Sequence, residues 1–196
     1  MEPLSIGRPA PNFTAKAIVN GEIKEISLKD YLGKYVILFF YPKDFTYVCP
    51  TELHAFQDLL GDFEDRDAVV LGCSVDDLET HLSWLNTKRI NGGIEGITYP
   101  LISDTTRSIS KAYGVLKPEE QLSLRGTFLI DRTGIIRHAV INDLPLGRST
   151  TEELRVLEAL IFFEQNGMVC PANWQKGEKA MLPTDEGLKE YFSTID

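Results

Sequence analysis

The stretch "VILFFYPKDFTYVCPTELHAF", Val36–Phe56, contains an apolar run, a short loop and a helix start. Its first six residues, Val36–Tyr41, are bulky and apolar on both faces, as in a central strand that is covered on both sides. Pro50 suits the first helical position, which places Cys49 at the helix N-terminus. The residues expected to share one helical face are Leu53, Phe56, Leu59 and Leu60. Gly61 is expected to end this helix.

The alternation of strands and helices continues on both sides of this stretch. Asn20-Gly21 lies between two short β-like runs and predicts an N-terminal hairpin. The run Ala68–Val75 predicts a second buried strand, and Asp76 or Asp77 is expected to cap the helix that follows it. The apolar stripe of that helix is expected to be Leu78, Leu82 and Leu85.

The second half of the chain completes the pattern. Ile97–Ser103 is strand-like, and Asp104 is expected to cap a helix that ends at Gly114. "GTFLID" and "IIRHAVI" flank a short turn and predict an antiparallel hairpin. Capping boxes at Ser149 and Thr150 precede a long helix that is expected to end at Gly167, the last element before the tail.

This order predicts an α/β protein with a central mixed sheet flanked by helices, because helices alternate with buried strands. The closing hairpin and helix are what a thioredoxin-like fold would show. The tail carries two prolines and two glycines and predicts an extended C-terminal arm. We therefore divide the chain into a domain of residues 1–167 and an arm of residues 168–196.

The composition narrows the class of protein. The chain has 196 residues and a net charge of −9, which argues against nucleic acid and anionic membranes as partners. The longest apolar runs, Val36–Tyr41 and Ala159–Phe163, are too short to span a bilayer. The N-terminus shows no signal-peptide pattern, so we expect a cytoplasmic protein. Cysteines there are normally reduced, so a disulfide would be transient and redox-active.

Cys49 is the best candidate for a reactive group. The free amides and the macrodipole of a helix N-terminus favour an anion such as a thiolate. Complete ionisation of an ordinary thiol gains only about 30-fold at pH 7, so other groups must also polarise the substrate. Thr46 offers a hydroxyl, Pro42 could exclude water, and Arg125 could reach the sulfur with a fixed fork of donors.

The other cysteine and histidine positions favour structural roles. Cys73 lies inside a strand-like run and is interpreted as a small buried hydrophobe. No CxxC or HExxH motif is present, so we expect no metal site. His54, His81 and His138 are interpreted as surface or structural residues.

Five motifs in order resemble those of the typical two-cysteine peroxiredoxins. The first is Pro42-x-x-x-Thr46-x-x-Cys49 within "DFTYVCPTE". The other four are "LRGTFLID" around Arg125, "NDLPLGRS" around Arg148, "VCPANW" around Cys170 and "LKEYF" near the C-terminus. Together they cover nearly the whole chain, and their common order makes the resemblance specific.

The resemblance implies a thiol peroxidase that needs no cofactor. Cys49 would attack a hydroperoxide and become a sulfenic acid. Thr46 and Arg125 would bind the peroxide oxygens, and Pro42 would shield the site. Glu52 and Arg148 would join Arg125 in a supporting charge network. The catalytic residues would be Cys49, Cys170, Thr46, Arg125 and Pro42.

The resemblance also implies the rest of the cycle and the assembly. Cys170 would attack the sulfenic acid of a partner subunit, and thioredoxin or a similar dithiol would reduce the resulting disulfide. A homodimer, and a decamer of five dimers, would be the assembly. Tyr191-Phe192 and a "GGLG" loop accompany sensitivity to overoxidation in the family. Here that loop reads "GGIEG", Gly92–Gly96, so we expect intermediate sensitivity.

Two other functions compete with this interpretation. A cysteine hydrolase would use Cys49 as nucleophile and His138 as base, but would leave Thr46, Arg125 and Cys170 without a role. A binding or chaperone-like protein on the same scaffold would need no reactive thiol.

Overall fold

The computed structural model describes residues 5–194. The chain forms two compact units, Met1–Thr150 and Thr151–Asp196. The strands are β1 (Thr14–Val19), β2 (Glu22–Ser27), β3 (Tyr35–Phe40), β4 (Ala68–Ser74), β5 (Leu101–Ser103), β6 (Leu116–Lys117), β7 (Leu122–Ser123), β8 (Arg125–Ile130) and β9 (Ile136–Asn142). The helices are α1 (Cys49–Asp58), α2 (Leu60–Glu64), α3 (Leu78–Leu85), α4 (Ser108–Ala112), α5 (Thr150–Asn166) and α6 (Asp185–Phe192), with 3-10 turns at Leu28–Tyr31 and Arg89–Asn91.

Seven strands of the first unit form one mixed sheet in the order β2-β1-β5-β4-β3-β8-β9. Strand β3 pairs in parallel with β4, and β4 with β5. The remaining neighbours are antiparallel. Two short strands, β6 and β7, pair separately. The predicted mixed sheet flanked by helices is confirmed. Within residues 5–194, no helix is long and apolar enough to cross a membrane.

Strand β3 is the centre of the core. Every residue of this strand is buried. Leu38 and Phe40 belong to the apolar cluster on one face of the sheet. On the other face, the ring of Phe39 stacks on that of Phe56 in α1, with ring centroids 4.3 Å apart. The predicted central strand that is covered on both faces is confirmed.

The N-terminal hairpin forms where the sequence predicts it. Strands β1 and β2 pair along six residue pairs, from Thr14 with Ser27 to Val19 with Glu22. Asn20 and Gly21 both have positive φ angles, of 53° and 78°. That combination matches the primed turns, whose twist suits a two-residue hairpin loop.

The expected helix end at Gly61 is wrong. Helix α1 breaks at Leu59, where φ is −101° and ψ is 6°, and α2 then includes Gly61. The chain stays helical past Gly61 because Phe63, a little further on, is fully buried and holds the second helix against the core. Gly61 is not among the glycines with positive φ, so it does not serve as a C-terminal cap.

Two other helices also differ from expectation. Asp77 caps α3 as predicted, by accepting the amide hydrogen of Thr80. The fully buried side chains of α3 are His81 and Trp84, however, and not the leucine stripe. The pattern failed here because it counts histidine as polar, whereas a paired histidine can be buried. Helix α4 starts late, at Ser108.

The second unit contains α5, α6 and the segment between them. Helix α5 is followed by Gly167 with a φ of 66°, as predicted. The ring of Trp174 packs against Phe162 at 4.9 Å, and Val169 forms a bridge with Met181. The arm therefore packs on α5 within this unit. The division at residue 167 stays a prediction.

Candidate active site

The strand register brings two distant segments of the first unit together. Strands β3 and β8 are antiparallel, with Phe39 opposite Thr127. Arg125, two residues before Thr127, therefore lies at the end of β3 where the chain leaves the sheet. The loop of residues 42–48 starts at this end and leads to Cys49.

Cys49 is the first residue of α1. Val48 is the N-cap and Pro50 the second helical residue, so the predicted start is displaced by one position. The chemistry that was expected does not change, because the first four helical N–H groups have no intrahelical partner and proline lacks one. The Cys49 side chain is fully buried.

Arg125 connects the thiol to a carboxylate. Its Nη1 donates to Cys49 Sγ at 3.4 Å and to Glu52 Oε2 at 2.6 Å. Its Nε donates to the carbonyl oxygen of Leu144 at 2.6 Å. The guanidinium is buried and has donors directed at three groups, so its orientation is fixed.

Arg148 holds the same carboxylate in a bidentate pair. Its Nε and Nη2 donate to the two oxygens of Glu52 at 2.8 and 2.9 Å, and its backbone amide donates at 2.9 Å. Its Nη1 donates to the carbonyl oxygens of Phe40 and Gly126, both at 2.8 Å. Burial alone would raise the pKa of Glu52, but the hydrogen bonds and charge of Arg148 and the charge of Arg125 hold it below its usual value.

The charges of this cluster do not cancel. Two guanidinium groups and one carboxylate leave a surplus of one positive charge in a buried environment. An anionic sulfur at Cys49 would balance that surplus. The arrangement therefore suits a thiolate nucleophile, and Arg125 can also stabilise negative charge on an attacked oxygen.

The remaining predicted residues lie in the loop before Cys49. Pro42 is buried and Thr46 is half-buried. The Thr46 hydroxyl donates to the carbonyl oxygen of Lys43 at 2.9 Å. Since its hydrogen is used there, the oxygen can offer lone pairs to another donor.

The competing hydrolase needs an imidazole base next to the sulfur. The hydrogen-bond donor to Cys49 is instead an arginine, which stays protonated in proteins and cannot act as a base. His138 lies on β9 opposite Leu129. The geometry favours redox chemistry over acyl transfer.

No two of the three cysteines are bonded to each other within the chain. Cys170 lies in the second unit and is half-buried, and its S–H donates to the carbonyl oxygen of Ala159 at 3.6 Å. Burial raises the pKa of Cys170, and the charge of Arg155 only partly opposes this. Burial raises the pKa of Cys73 far above its usual value, as expected of an inert structural thiol.

Sequence reasoning missed a second polar cluster beside the site. His81 and Asp44 form a fully buried pair, with His81 Nδ1 2.7 Å from Asp44 Oδ2. The Tyr41 hydroxyl also donates to Asp44, at 2.9 Å. Asp44 lies in the loop between β3 and α1, but no spacing pattern in the sequence shows that this acid is buried. Among the described residues, no cluster of three or more histidine, cysteine or acidic side chains could hold a metal ion.

Comparisons with known proteins identify the family of the chain. The AhpC/TSA family matches residues 6–139, and the C-terminal domain of 1-Cys peroxiredoxin matches residues 159–194. The chain is 52% identical over 188 residues to Peroxiredoxin-2 of Cricetulus griseus, covering 96% of this chain and 95% of that protein. It is 50% identical over 189 residues to a thioredoxin peroxidase of Echinococcus granulosus, covering 96% and 98%.

A solved structure shows the same fold. The reduced 2-Cys peroxiredoxin of Plasmodium vivax superposes with a TM-score of 0.95 at 46% identity, covering 97% of this chain and all of that one. The predicted thioredoxin-like fold is thereby confirmed, and both competing functions are set aside. The chain belongs to the AhpC/TSA family and is a typical two-cysteine peroxiredoxin, an oxidoreductase that reduces hydroperoxides through a cysteine and disulfide cycle.

Proposed function

We propose that Cys49 is the cysteine that attacks the hydroperoxide. The observation that carries this assignment is the contact of Arg125 Nη1 with Cys49 Sγ at 3.4 Å, made by a guanidinium that also binds Glu52. Of the three cysteines, Cys49 stands at a helix N-terminus inside a cluster with surplus positive charge. Both features favour a thiolate, the form of the thiol that acts as nucleophile.

The first step is a transfer of oxygen to sulfur. The thiolate of Cys49 attacks one oxygen of the hydroperoxide, an S–O bond forms and the O–O bond breaks. The sulfur is oxidised by two electrons to a sulfenic acid, and the other oxygen takes a proton and leaves as an alcohol or water. Arg125 donates to the oxygens as negative charge develops. Thr46 Oγ1 accepts the O–H of the peroxide, while Pro42 keeps water away.

The second step converts the sulfenic acid of Cys49 into a disulfide. The Cys170 thiolate of a partner subunit attacks the sulfenic sulfur, an S–S bond forms and the oxygen leaves as water. A thioredoxin-like dithiol then reduces this disulfide. A disulfide needs Cα atoms within about 7 Å, and Cys49 is fully buried, so the first turn of α1 unwinds in each cycle and the tail shifts.

Resolution between subunits requires at least a homodimer, and five such dimers would make a decamer. A cycle that starts from a reduced cysteine and needs a dithiol reductant suits a reducing compartment, the cytoplasm. Subcellular fractionation tests this location, and recovery with an organelle or a secreted fraction would contradict it.

A non-reducing gel after one equivalent of hydrogen peroxide tests the chemistry and the pairing together. Wild type should form a disulfide-linked dimer that thioredoxin returns to monomers. Cys49→Ser should form no such dimer and should lose thioredoxin-dependent peroxide consumption. Cys170→Ser should reach the sulfenic acid once and then stall.

Cys73→Ala is the matched control, because it removes a thiol that the mechanism does not use. It should form the linked dimer as wild type does. Full peroxide turnover by Cys49→Ser would refute the nucleophile, and normal turnover with thioredoxin by Cys170→Ser would refute the resolving role.

A further inference from the structure

The surroundings of Cys170 in the second unit keep its proton on the sulfur. The side chain is half-buried, and its S–H donates to the carbonyl oxygen of Ala159 at 3.6 Å. A carbonyl oxygen only accepts, so this bond exists for the thiol and is lost when the sulfur ionises. Burial also raises the pKa of Cys170. Both effects oppose the thiolate, which is the form of a cysteine that attacks another sulfur.

Arg155 is the group that favours the thiolate. It lies one helical turn before Ala159 on the same face of α5, since residues four apart are neighbours on a helix. Against the larger effect of burial, its charge lowers the pKa of Cys170. In return, the hydrogen bond and charge of Glu152 and then the charge of Cys170 raise the pKa of Arg155. The guanidinium and the sulfur therefore interact directly through their charges.

The guanidinium of Arg155 is held in one orientation by three hydrogen bonds. Its Nε and Nη2 donate to the two carboxylate oxygens of Glu152 at 2.6 and 2.7 Å. Its Nη1 donates to the carbonyl oxygen of Trp174 at 2.8 Å. The last bond links α5 to the turn that begins just after Cys170, so one side chain joins the helix to the segment that carries the thiol.

The turn after Cys170 is itself packed against α5. The amide of Trp174 donates to the carbonyl oxygen of Pro171 at 3.2 Å, and its indole N–H donates to that of Glu178 at 3.1 Å. The Trp174 ring is 2% exposed and lies against Phe162, with ring centroids 4.9 Å apart. These contacts hold Cys170 in a constant relation to the guanidinium.

The acidic groups of the same two segments have other partners or positions. Glu152 is paired with Arg155, and the carboxylate of Glu178 accepts the amide hydrogen of Gln175 at 2.9 Å. Glu158 follows Arg155 by three residues on α5. Within residues 5–194, Arg155 is the one charge that shifts the pKa of Cys170. The balance between thiol and thiolate at Cys170 therefore depends on this arginine.

We propose that Arg155 is a positioning residue for the second step of the cycle, whose guanidinium stabilises the Cys170 thiolate and holds the turn that carries it. The thiolate attacks the sulfenic sulfur of Cys49 of the partner subunit, an S–S bond forms and the S–O bond breaks. The oxygen takes a proton from solvent and leaves as water. The inference rests on the proposed roles of Cys49 and Cys170, because it concerns the nucleophile of that step.

The ionisation of Cys170 can be measured by itself. The chain has three cysteines, so Cys170 is the sole thiol in the double variant Cys49→Ser, Cys73→Ala. The rate of alkylation by iodoacetamide as a function of pH gives the midpoint of its ionisation. Adding Arg155→Met should raise this midpoint and leave about three-fold less thiolate at pH 7, as expected for partly exposed charges.

The rate of disulfide formation gives a second readout in chains that keep all three cysteines. At pH 7, Arg155→Met should slow this step in stopped flow by only about two-fold, because a thiolate of higher pKa is a stronger nucleophile. Above both midpoints the order should reverse, since both sulfurs are then ionised and the variant thiolate is the stronger one. The preceding oxidation of Cys49 should keep its rate. A merely structural role of Arg155 would not produce this reversal.

Three companion variants separate the charge from the hydrogen bonds. Arg155→Lys keeps the charge and should keep most of the wild-type midpoint. Glu152→Gln removes the negative partner of the guanidinium, so the midpoint should move to lower pH. Arg66→Met is the matched control, because Arg66 pairs with Asp62 one turn earlier, at 3.7 Å, in the first unit. It changes the net charge equally and should leave the midpoint of Cys170 where it is.

An unchanged midpoint in Arg155→Met would overturn the inference. So would an equal shift in Arg155→Lys or in Arg66→Met, because the charge at this position would then not be the cause. If Arg155→Met does not fold, Glu152→Gln decides, and a midpoint that stays or rises there would overturn the inference. Absence of a Cys49–Cys170 disulfide in wild type would instead refute the proposed function, whatever the midpoint of Cys170.

Discussion

At the scale of single residues, Glu52 makes it possible for two arginines to lie buried beside Cys49. Its carboxylate accepts hydrogen bonds from Arg148 at 2.8 and 2.9 Å and from Arg125 at 2.6 Å. Without this carboxylate, two buried guanidinium groups would face each other across the site. Glu52 therefore acts through Arg125, whose direction toward the sulfur it fixes.

Glu52→Gln should destabilise the protein and slow the oxidation of Cys49. Removing one partner from a buried ion pair leaves an uncompensated charge, so we expect a loss of about 3–5 kcal/mol in the free energy of unfolding. Urea denaturation measures this. The rate of Cys49 oxidation should fall as Arg125 loses its fixed orientation, by less than the about 10²–10³-fold lost with a direct donor.

The matched control for this prediction is Glu22→Gln. Glu22 forms an exposed pair with Lys24 at 3.0 Å on strand β2. The same chemical change there should alter the free energy of unfolding by no more than about 0.5 kcal/mol. Equal losses in the two variants would contradict the special position of Glu52.

At the scale of elements, the loop before α1 is held by a pair that the reaction does not touch. The ring nitrogens of His81 face two acceptors, the Asp44 carboxylate at 2.7 Å and the carbonyl oxygen of Ile102 at 3.3 Å. An imidazole that donates at both nitrogens is a cation. The next loop residue, Phe45, has a φ of 53°, which costs a bulky side chain about 1–2 kcal/mol. The anchored Asp44 supports this strained residue, three positions before Val48.

Because of this pair, we expect the free energy of unfolding to decrease as the pH becomes alkaline. Burial alone would lower the pKa of His81, but the hydrogen bond and charge of Asp44, the Ile102 carbonyl and the charge of Asp76 raise it above its usual value. A histidine whose pKa is raised by folding stabilises the folded state fully at pH values below its pKa in the unfolded chain, about 6.5. This stabilisation is lost as the pH rises through the pKa of the histidine in the folded state. Tyr41, which also binds Asp44, stays protonated because burial raises its pKa.

Unfolding free energies measured from pH 6 upward should therefore fall more steeply in wild type than in His81→Gln. Parallel pH profiles for wild type and His81→Gln would show that His81 is not charged in the folded protein.

The sequence predicted elements whose signals are local and missed features that depend on tertiary partners. The continuous apolar run of β3 and the Asn20-Gly21 turn are local signals, and both predictions made from them are confirmed. The end of α1 could not be predicted locally, because Phe63 keeps the chain helical past Gly61. The buried face of α3 was wrong for a similar reason, since His81 is buried only because Asp44 meets it.

The residues of the candidate site also differ in whether a local signal could predict them. Cys49 could be selected from its helix-start position, and the motifs pointed to Arg125 and Arg148. No spacing predicts that residues 73 and 96 positions away from Glu52 bind the same carboxylate. The contact of Arg125 follows from the antiparallel register of β3 and β8.

At the scale of the whole molecule, the two edges of the sheet differ in a way that bears on assembly. Edge strand β2 reads "EIKEIS" and carries charges along its length, which discourages pairing with another strand. Edge strand β9 exposes Ile141 as β2 exposes Ile23, but it carries a single arginine, Arg137, and no lysine or acidic residue. The proposed homodimer therefore fits best along β9, where a second copy could continue the sheet.

Ile141→Lys tests this arrangement against a variant on the opposite edge. A lysine on β9 would place like charges close together in the paired strands, so the dissociation constant of the dimer should rise by at least about ten-fold, or about 1.4 kcal/mol. Ile23 is similarly exposed on β2, at 54% against 45% for Ile141, so Ile23→Lys makes the same change on the other edge. Sedimentation velocity of the reduced proteins should show dimers for wild type and Ile23→Lys, and monomers for Ile141→Lys at low concentration. Dissociation of Ile23→Lys alone would move the interface to β2, and a monomeric wild type would refute the homodimer, since resolution between subunits would then have no partner.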